Sequence, residues 1–161
     1  MEILCPTVSI DPALAAVWPD TALGCVCWSA PVLPQEPRLW QYFASHTQPR
    51  LAQLLENTEL ADMPQIGPSR RAFKAFGRDP GRVRISSEAL YRRLRQGKEL
   101  YHINTAVDAN NLVSLETGFS LGTYDLACVQ GDLVLRLGRE GEGYAGIGKD
   151  TLDLHRMPLL A

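Results

Sequence analysis

The sequence has no run of about 18 apolar residues, so no helix in it is expected to cross a membrane. Its opening stretch, MEILCPTVSIDP, has no Lys or Arg ahead of a short apolar run and carries Pro6 and Pro12, which is not the build of a secretory signal. A cytoplasmic location is the expectation. Histidine is scarce: His46, His102 and His155 lie far apart and make neither a ligand set nor a base beside a nucleophile. The four cysteines, Cys5, Cys25, Cys27 and Cys128, lack zinc spacing, and no metal is expected. Residues two apart on a strand share a face, so Cys25 and Cys27 in GCVCWSAPV are read as buried, reduced thiols. REGEGYAGIG is glycine-rich but lacks the strand-then-helix context and the Lys-Ser/Thr pair of a phosphate loop. No cofactor is expected, and Glu140 and Glu142 are placed on a solvent-exposed hairpin.

What is present is a strongly uneven charge distribution. Arg70, Arg71, Lys74, Arg78, Arg82, Arg84, Arg92, Arg93, Arg95 and Lys98 face only Asp79 and Glu88 over 29 residues, a balance of +8, while the rest of the chain carries −10. Such a tract suits an anionic partner, foremost the phosphates of a nucleic acid, or a solvated helix face balanced in space by acids from elsewhere. Length favours one domain over residues 1–161 with a core built without metal or disulfide.

Local patterns order the elements. A short strand is expected within residues 1–10, then a helix from Pro12 capped by Asp11. LGCVCWSAPV is read as a strand ended by Pro31 and Pro34. Residues 36–57 have helical spacing, with Pro49 kinking or dividing the element. ADMPQIGPS is read as a loop and 69–76 as a helix with Phe73 and Phe76 inward. After the GRDPG turn, Ser86 or Ser87 caps a helix that turns Leu90 and Leu94 inward and stops at Gly97. Another helix runs from Asn104 to Gly118. Strands follow in GTYDLACV, LVLRLG and near TLDLH. Helices early and strands late predict an α+β fold, helices packed on a mixed, largely antiparallel sheet. The tryptophans are read as core.

The last helix raises a question, because INTAVDANNLVSLETG is apolar yet carries five polar side chains that suit helix interiors poorly. Asn104, Asp108 and Asn111 fall at i, i+4 and i+7 on one face. Each, buried without a partner, would cost about 1–3 kcal/mol. Either they tie down neighbouring backbone, with Asn104 as the cap and Asp108 orienting a turn or an arginine, or Asn110 and Asn111 line a pocket for a small polar ligand.

VDANN followed by LETG and YDL, with PSRRAFKAFGRDPGRVRISSEALYRRLRQGKEL before and GDLVLRLGREGEGYAGIG after, resembles the B3/B4 editing domain of the phenylalanyl-tRNA synthetase beta subunit, and most of all its free-standing relatives. The resemblance covers about residues 65–155. It implies a tRNA partner and hydrolysis of a misacylated aminoacyl-tRNA in trans, or, as the alternative, a non-catalytic module binding tRNA or an amino acid. Position by position, it implies that Asn110, Asn111, Phe119, Ser120, Gly122 and Thr123 hold the substrate. Asn104, Asp108 and Asp125 support the site, and Arg70, Arg71, Lys74, Arg78, Arg82, Arg84, Arg92 and Arg93 hold nucleic acid. Asn110 stands where the family has Thr, and Gly122 where the synthetase has a pocket histidine. The family continues past the equivalent of Met157, so the chain is expected to lack the usual C-terminal part. No catalytic residue is named, and completion of the site by a second copy is left open.

Overall fold

The computed structural model of the chain describes residues 5–83, 85–145 and 151–161. In chain order its elements are β1 (Val8–Ile10), α1 (Pro12–Val17), α2 (Pro37–Tyr42), a π-helical turn (Phe43–Thr47), α3 (Gln48–Asn57) and a 3-10 turn (Leu60–Asp62). Then come α4 (Ile66–Ala75), α5 (Ser86–Arg95), α6 (Thr105–Thr117), a 3-10 turn (Leu126–Cys128), β2 (Leu133–Leu137), β3 (Gly143–Ala145), β4 (Thr151–Asp153) and β5 (Pro158–Leu160). The fold is α+β with a mixed sheet, as the order of helices and strands predicts.

The elements form two units. The helical unit comprises Ala30–Arg71 and Val83–Tyr124; the sheet unit comprises Met1–Ser29, Ala72–Arg82 and Asp125–Ala161. In the sheet unit the strand order is β1-β2-β5. Strand β1 lies parallel to β2, with Val8 opposite Leu133 and Ile10 opposite Leu135, and β5 lies antiparallel to β2, with Leu135 opposite Leu160. A parallel neighbour so far away in sequence requires a long connection, and here most of the chain intervenes. Strands β3 and β4 form a separate antiparallel ribbon. Helix α1 starts where the sequence predicts, with Pro12 in its first turn and Asp11 Oδ1 accepting from Ala13 N at 2.6 Å. Its Leu14, with Ala72 and Phe76, is buried against Ile10, Trp18, Leu135 and Leu137.

The core of the helical unit is Phe43, Leu51, Leu60, Met63, Ile66, Tyr91, Leu100, Leu112 and Leu115, with Leu90 and Leu94 packed at its margin as their i, i+4 spacing predicts. The long helical pattern of residues 36–57 runs from α2 through the π turn into α3 with helical backbone at Phe43, Thr47 and Gln48, and Pro49 lies in the first turn of α3, directly after the π turn. Helix α6 is bounded as expected. Asn104 Oδ1 accepts from Val107 N at 3.0 Å, and Gly118 closes the helix at φ 80°, a conformation that disfavours a Cβ.

Several expectations fail for identifiable reasons. GCVCWSAPV forms no strand: it meets no ladder partner among the described residues, Pro31 lacks a donor, and the segment is largely exposed, with Val26 at 84% and Trp28 at 49% exposure. The thiols are therefore not buried: Cys5 and Cys27 are joined as a disulfide, and Cys25 and Cys128 are exposed. YDLACV forms no strand either, since Asp125 accepts from Ala127 N at 3.0 Å and turns the chain into a 3-10 turn. Helix α4 begins at Ile66, before the expected Ser69, because Pro68 fits a helix's first turn. The N-cap of α5 is Ile85, and Ser86 and Ser87 are already helical. Strand β5 was hidden in MPLLA. Residues 1–4 of the first expected strand, and residues 146–150 of the glycine-rich REGEGYAGIG stretch, lie outside the described residues.

Candidate functional site

The site begins with α6 and the loop that follows it. Gly118 reverses the chain, and the next residues fold back along the helix they have just left. Three side-chain bonds hold them there. Ser114 Oγ donates to the Phe119 carbonyl at 2.6 Å, Ser120 Oγ lies 3.1 Å from Ser87 Oγ on α5, and Thr123 Oγ1 donates to Asn110 Oδ1 at 2.8 Å. Phe119 is thus tied to Ser114 of α6, Ser120 to Ser87 of α5 and Thr123 to Asn110 of α6, with Gly122 between the last two anchors, while Phe119 stays 61% exposed.

The polar row on α6 divides its work. Asn104 caps the helix. Asp108, fully buried, accepts from Ile103 N at 2.9 Å through Oδ1 and so fixes the entry of the chain. Its Oδ2 is buried with no hydrogen-bond partner among the described residues, as is Trp40 Nε1. Asn110 is taken up by Thr123. Asn111 is half-buried beside it, and its amide carries no hydrogen bond among the described residues. Glu116 faces the other way, accepting from Thr47 Oγ1 and from Arg50. Beside that pair burial pushes the Tyr91 phenol up, and its hydroxyl donates to the Leu115 carbonyl at 2.7 Å.

Gly122 is surrounded by its own neighbour. A Cβ there would meet Tyr124 Cε2 at 3.2 Å and the Tyr124 hydroxyl at 3.3 Å, so the tyrosine ring lies over the position from which a larger side chain would project. Asp125, the last of the expected supporting residues, belongs to the sheet unit and caps its 3-10 turn.

The basic tract is less free than its composition suggests. In the helical unit Glu88, with only 5% of its side chain exposed, binds Arg70 at 2.8 and 3.0 Å and Arg92 at 2.6 and 2.9 Å. Arg93 donates to the Glu99 carbonyl and to the Tyr101 hydroxyl, with its guanidinium 3.8 Å above the Tyr101 ring. Arg95 reaches the Thr58 carbonyl at 2.6 Å and Glu59 at 3.4 Å. Arg71 is exposed and forms no ion pair among the described residues. In the sheet unit Arg78 binds Asp153 at 2.9 Å, Arg82 lies 3.6 Å from Asp79, and Lys74 is exposed. Arg84 lies outside the described residues.

Residues that motif reading passed over hold this arrangement: Glu88, Ser87, Ser114 and Glu116. The i, i+4 spacing of Glu88 and Arg92 was visible as a helix-face pair, but the approach of Arg70 was not. Glu142 is not a free hairpin acid. It forms a two-pronged pair with Arg136, both bonds 2.8 Å, and this hydrogen bonding holds its carboxyl down at about 2. Among the described residues no group of histidine, cysteine and carboxylate side chains is placed to hold a metal, and no helix is long and apolar enough to cross a membrane.

Comparison with curated proteins and with solved structures finds no match. Residues 68–160, more than half of the chain, match the B3/4 domain. That span contains α5, α6, the anchored loop and the sheet strands β2 and β5, so the family assignment covers the whole candidate site. The chain belongs to the B3/4 domain family, of the type found in the phenylalanyl-tRNA synthetase beta subunit.

Proposed function

We propose that the chain is a tRNA-binding domain that hydrolyses misacylated aminoacyl-tRNA in trans. The observation that carries the reading is the loop of residues 119–123, tied at Phe119, Ser120 and Thr123 to Ser114, Ser87 and Asn110 of α5 and α6. An aminoacyl ester is already activated, so its hydrolysis depends on fixing the carbonyl and a water more than on a strong nucleophile. Fixed amides and hydroxyls serve that purpose. A site that hydrogen-bonds a polar side chain also discriminates amino acids that an apolar synthetic site separates poorly. Asn111 and the exposed loop backbone hold the aminoacyl group in this reading, and the exposed Arg71, with Arg93, meets phosphates.

The alternative, binding without catalysis, draws support from Gly122. The synthetase type places a histidine there, and in this chain the Tyr124 ring lies over the position. Deacylation of a panel of mischarged tRNAs tests the two. Turnover that falls in Asn111→Ala while tRNA binding persists supports the hydrolase. Salt-sensitive binding with no turnover on any member of the panel leaves the binding module.

A further inference from the structure

A second polar site lies in the helical unit, away from α6. Arg70 on α4 and Arg92 and Arg95 on α5 line a cleft of about 200 Å³ together with Glu59, Glu88 and Gln96. Its floor is unusual. Glu88 is 4% exposed, and burying a carboxylate is costly unless it is paired and hydrogen-bonded. It is doubly paired: its two oxygens receive Nη1 of Arg70 and Nε and Nη2 of Arg92.

Two positive charges on one negative leave the triad cationic. The bonds to Glu88 also leave Nε and Nη2 of Arg70 and Nη1 of Arg92 without a protein partner among the described residues. A guanidinium is a rigid planar fork, so fixing one edge on Glu88 sets the direction of the other. Arg95 is held in turn by the Thr58 carbonyl, and its pair with Glu59 is long, at 3.4 Å, with Glu59 79% exposed. Such a pair contributes little and yields readily to a better anion.

We propose that this cleft binds a phosphate group. Three guanidiniums, two of them held by a buried acid, suit a tetrahedral phosphate anion with several acceptor oxygens, and the cleft is large enough to admit one. The proposal deepens the tRNA reading, because an RNA backbone would supply such a group. It differs from that reading in naming where the phosphate sits, and a free phosphate monoester has the same chemistry.

Phosphorus NMR titrations of inorganic phosphate and of AMP at low salt test it directly. Saturable binding at about millimolar concentration or tighter is expected, weakened about tenfold by Arg92→Ala and by Arg95→Ala. Arg92→Ala leaves Glu88 paired with Arg70, and thermal unfolding of each variant checks that it is folded. Arg38→Ala removes an equal charge from an 85% exposed site elsewhere and leaves binding unchanged. No saturable phosphate binding, or an equal loss in Arg38→Ala, overturns the cleft. Competition by tRNA separates the two ideas. Phosphate binding that tRNA does not displace upholds the cleft and counts against an RNA occupant. Tight tRNA binding that Arg92→Ala and Arg95→Ala leave untouched overturns RNA as the occupant of the cleft and spares the tRNA reading.

Discussion

Asn110 and Thr123 lie 13 residues apart and are joined by one bond, Thr123 Oγ1 donating to Asn110 Oδ1 at 2.8 Å. A helix interior disfavours asparagine because its amide competes for backbone partners, and here the returning loop occupies that amide instead. Removing either partner frees the end of the loop. Thr123→Val keeps the shape and is expected to cost about 0.5–1 kcal/mol in chemical denaturation. On the proposed function it also lowers turnover more than tRNA affinity, and an affinity loss as large as the turnover loss would argue that the loop only binds.

Glu88 organises more of the helical unit than any other acid. Glu88→Ala strands Arg70, which is only 24% exposed, and is expected to destabilise the protein by about 2–4 kcal/mol. Glu88→Gln is expected to fall between this and the native protein, since an amide retains acceptor capacity but not the charge. Urea denaturation midpoints at unchanged slope would establish the order, and a neutral Glu88→Ala would contradict the pairing.

Gly138 follows β2 and forms an isolated bridge to His155. A Cβ there would run into the Leu154 carbonyl, with its carbon at 2.7 Å, and into Leu159 Cδ2 at 3.1 Å. Backbone cannot step aside as a flexible side chain does. Gly138→Ala is expected to cost about 3 kcal/mol or more, or to prevent soluble expression. Gly131→Ala is the contrast: nothing crowds its site, and only its φ of 77° resists the change, so about 1 kcal/mol is expected.

The Arg136–Glu142 pair makes a prediction about acid. Hydrogen bonds from Arg136, then from Arg139 N, hold the Glu142 carboxyl at about 2, against an ordinary 4.5. A carboxylate depressed on folding supports the fold fully above its unfolded value, and that support is lost as pH falls from about 4.5 through about 2. Carboxyl-carbon NMR should show Glu142 titrating near the lower value, and Arg136→Met should return it toward the upper one. A Glu142 midpoint near 4.5 in the native protein would rule out the pair in solution.

Much of the helical structure was legible because its signals are short-range. Asn104 and Gly118 bound α6, Asp11 and Pro12 open α1, and the spacing of Leu90 and Leu94 gives the buried face of α5, all within a few residues of what they specify. The segments GCVCWSAPV and YDLACV misled for the opposite reason. Both have strand composition, but a strand needs a neighbour, and neither meets one among the described residues. Strand β5 pairs with β2 although MPLLA carries no pattern of its own. At the candidate site the polar row on α6 was visible, whereas its partners Thr123 and Ile103 N, and the Ser87 that meets Ser120, were not, since a side chain's hydrogen-bonding capacity does not name the group that fills it.

The sequence by itself determined that the chain is α+β, that a helix studded with amides lies near its middle, and that a basic tract precedes it. Those are consequences of periodicity, caps and counted charges, which act over one or two helical turns. Only the tertiary structure decided that Asn110 is spent on Thr123 while Asn111 makes no hydrogen bond among the described residues, and that Glu88 takes up two of the arginines that line a cleft. Pairing of that kind depends on which distant side chains packing brings within about 3 Å, and no local pattern encodes it.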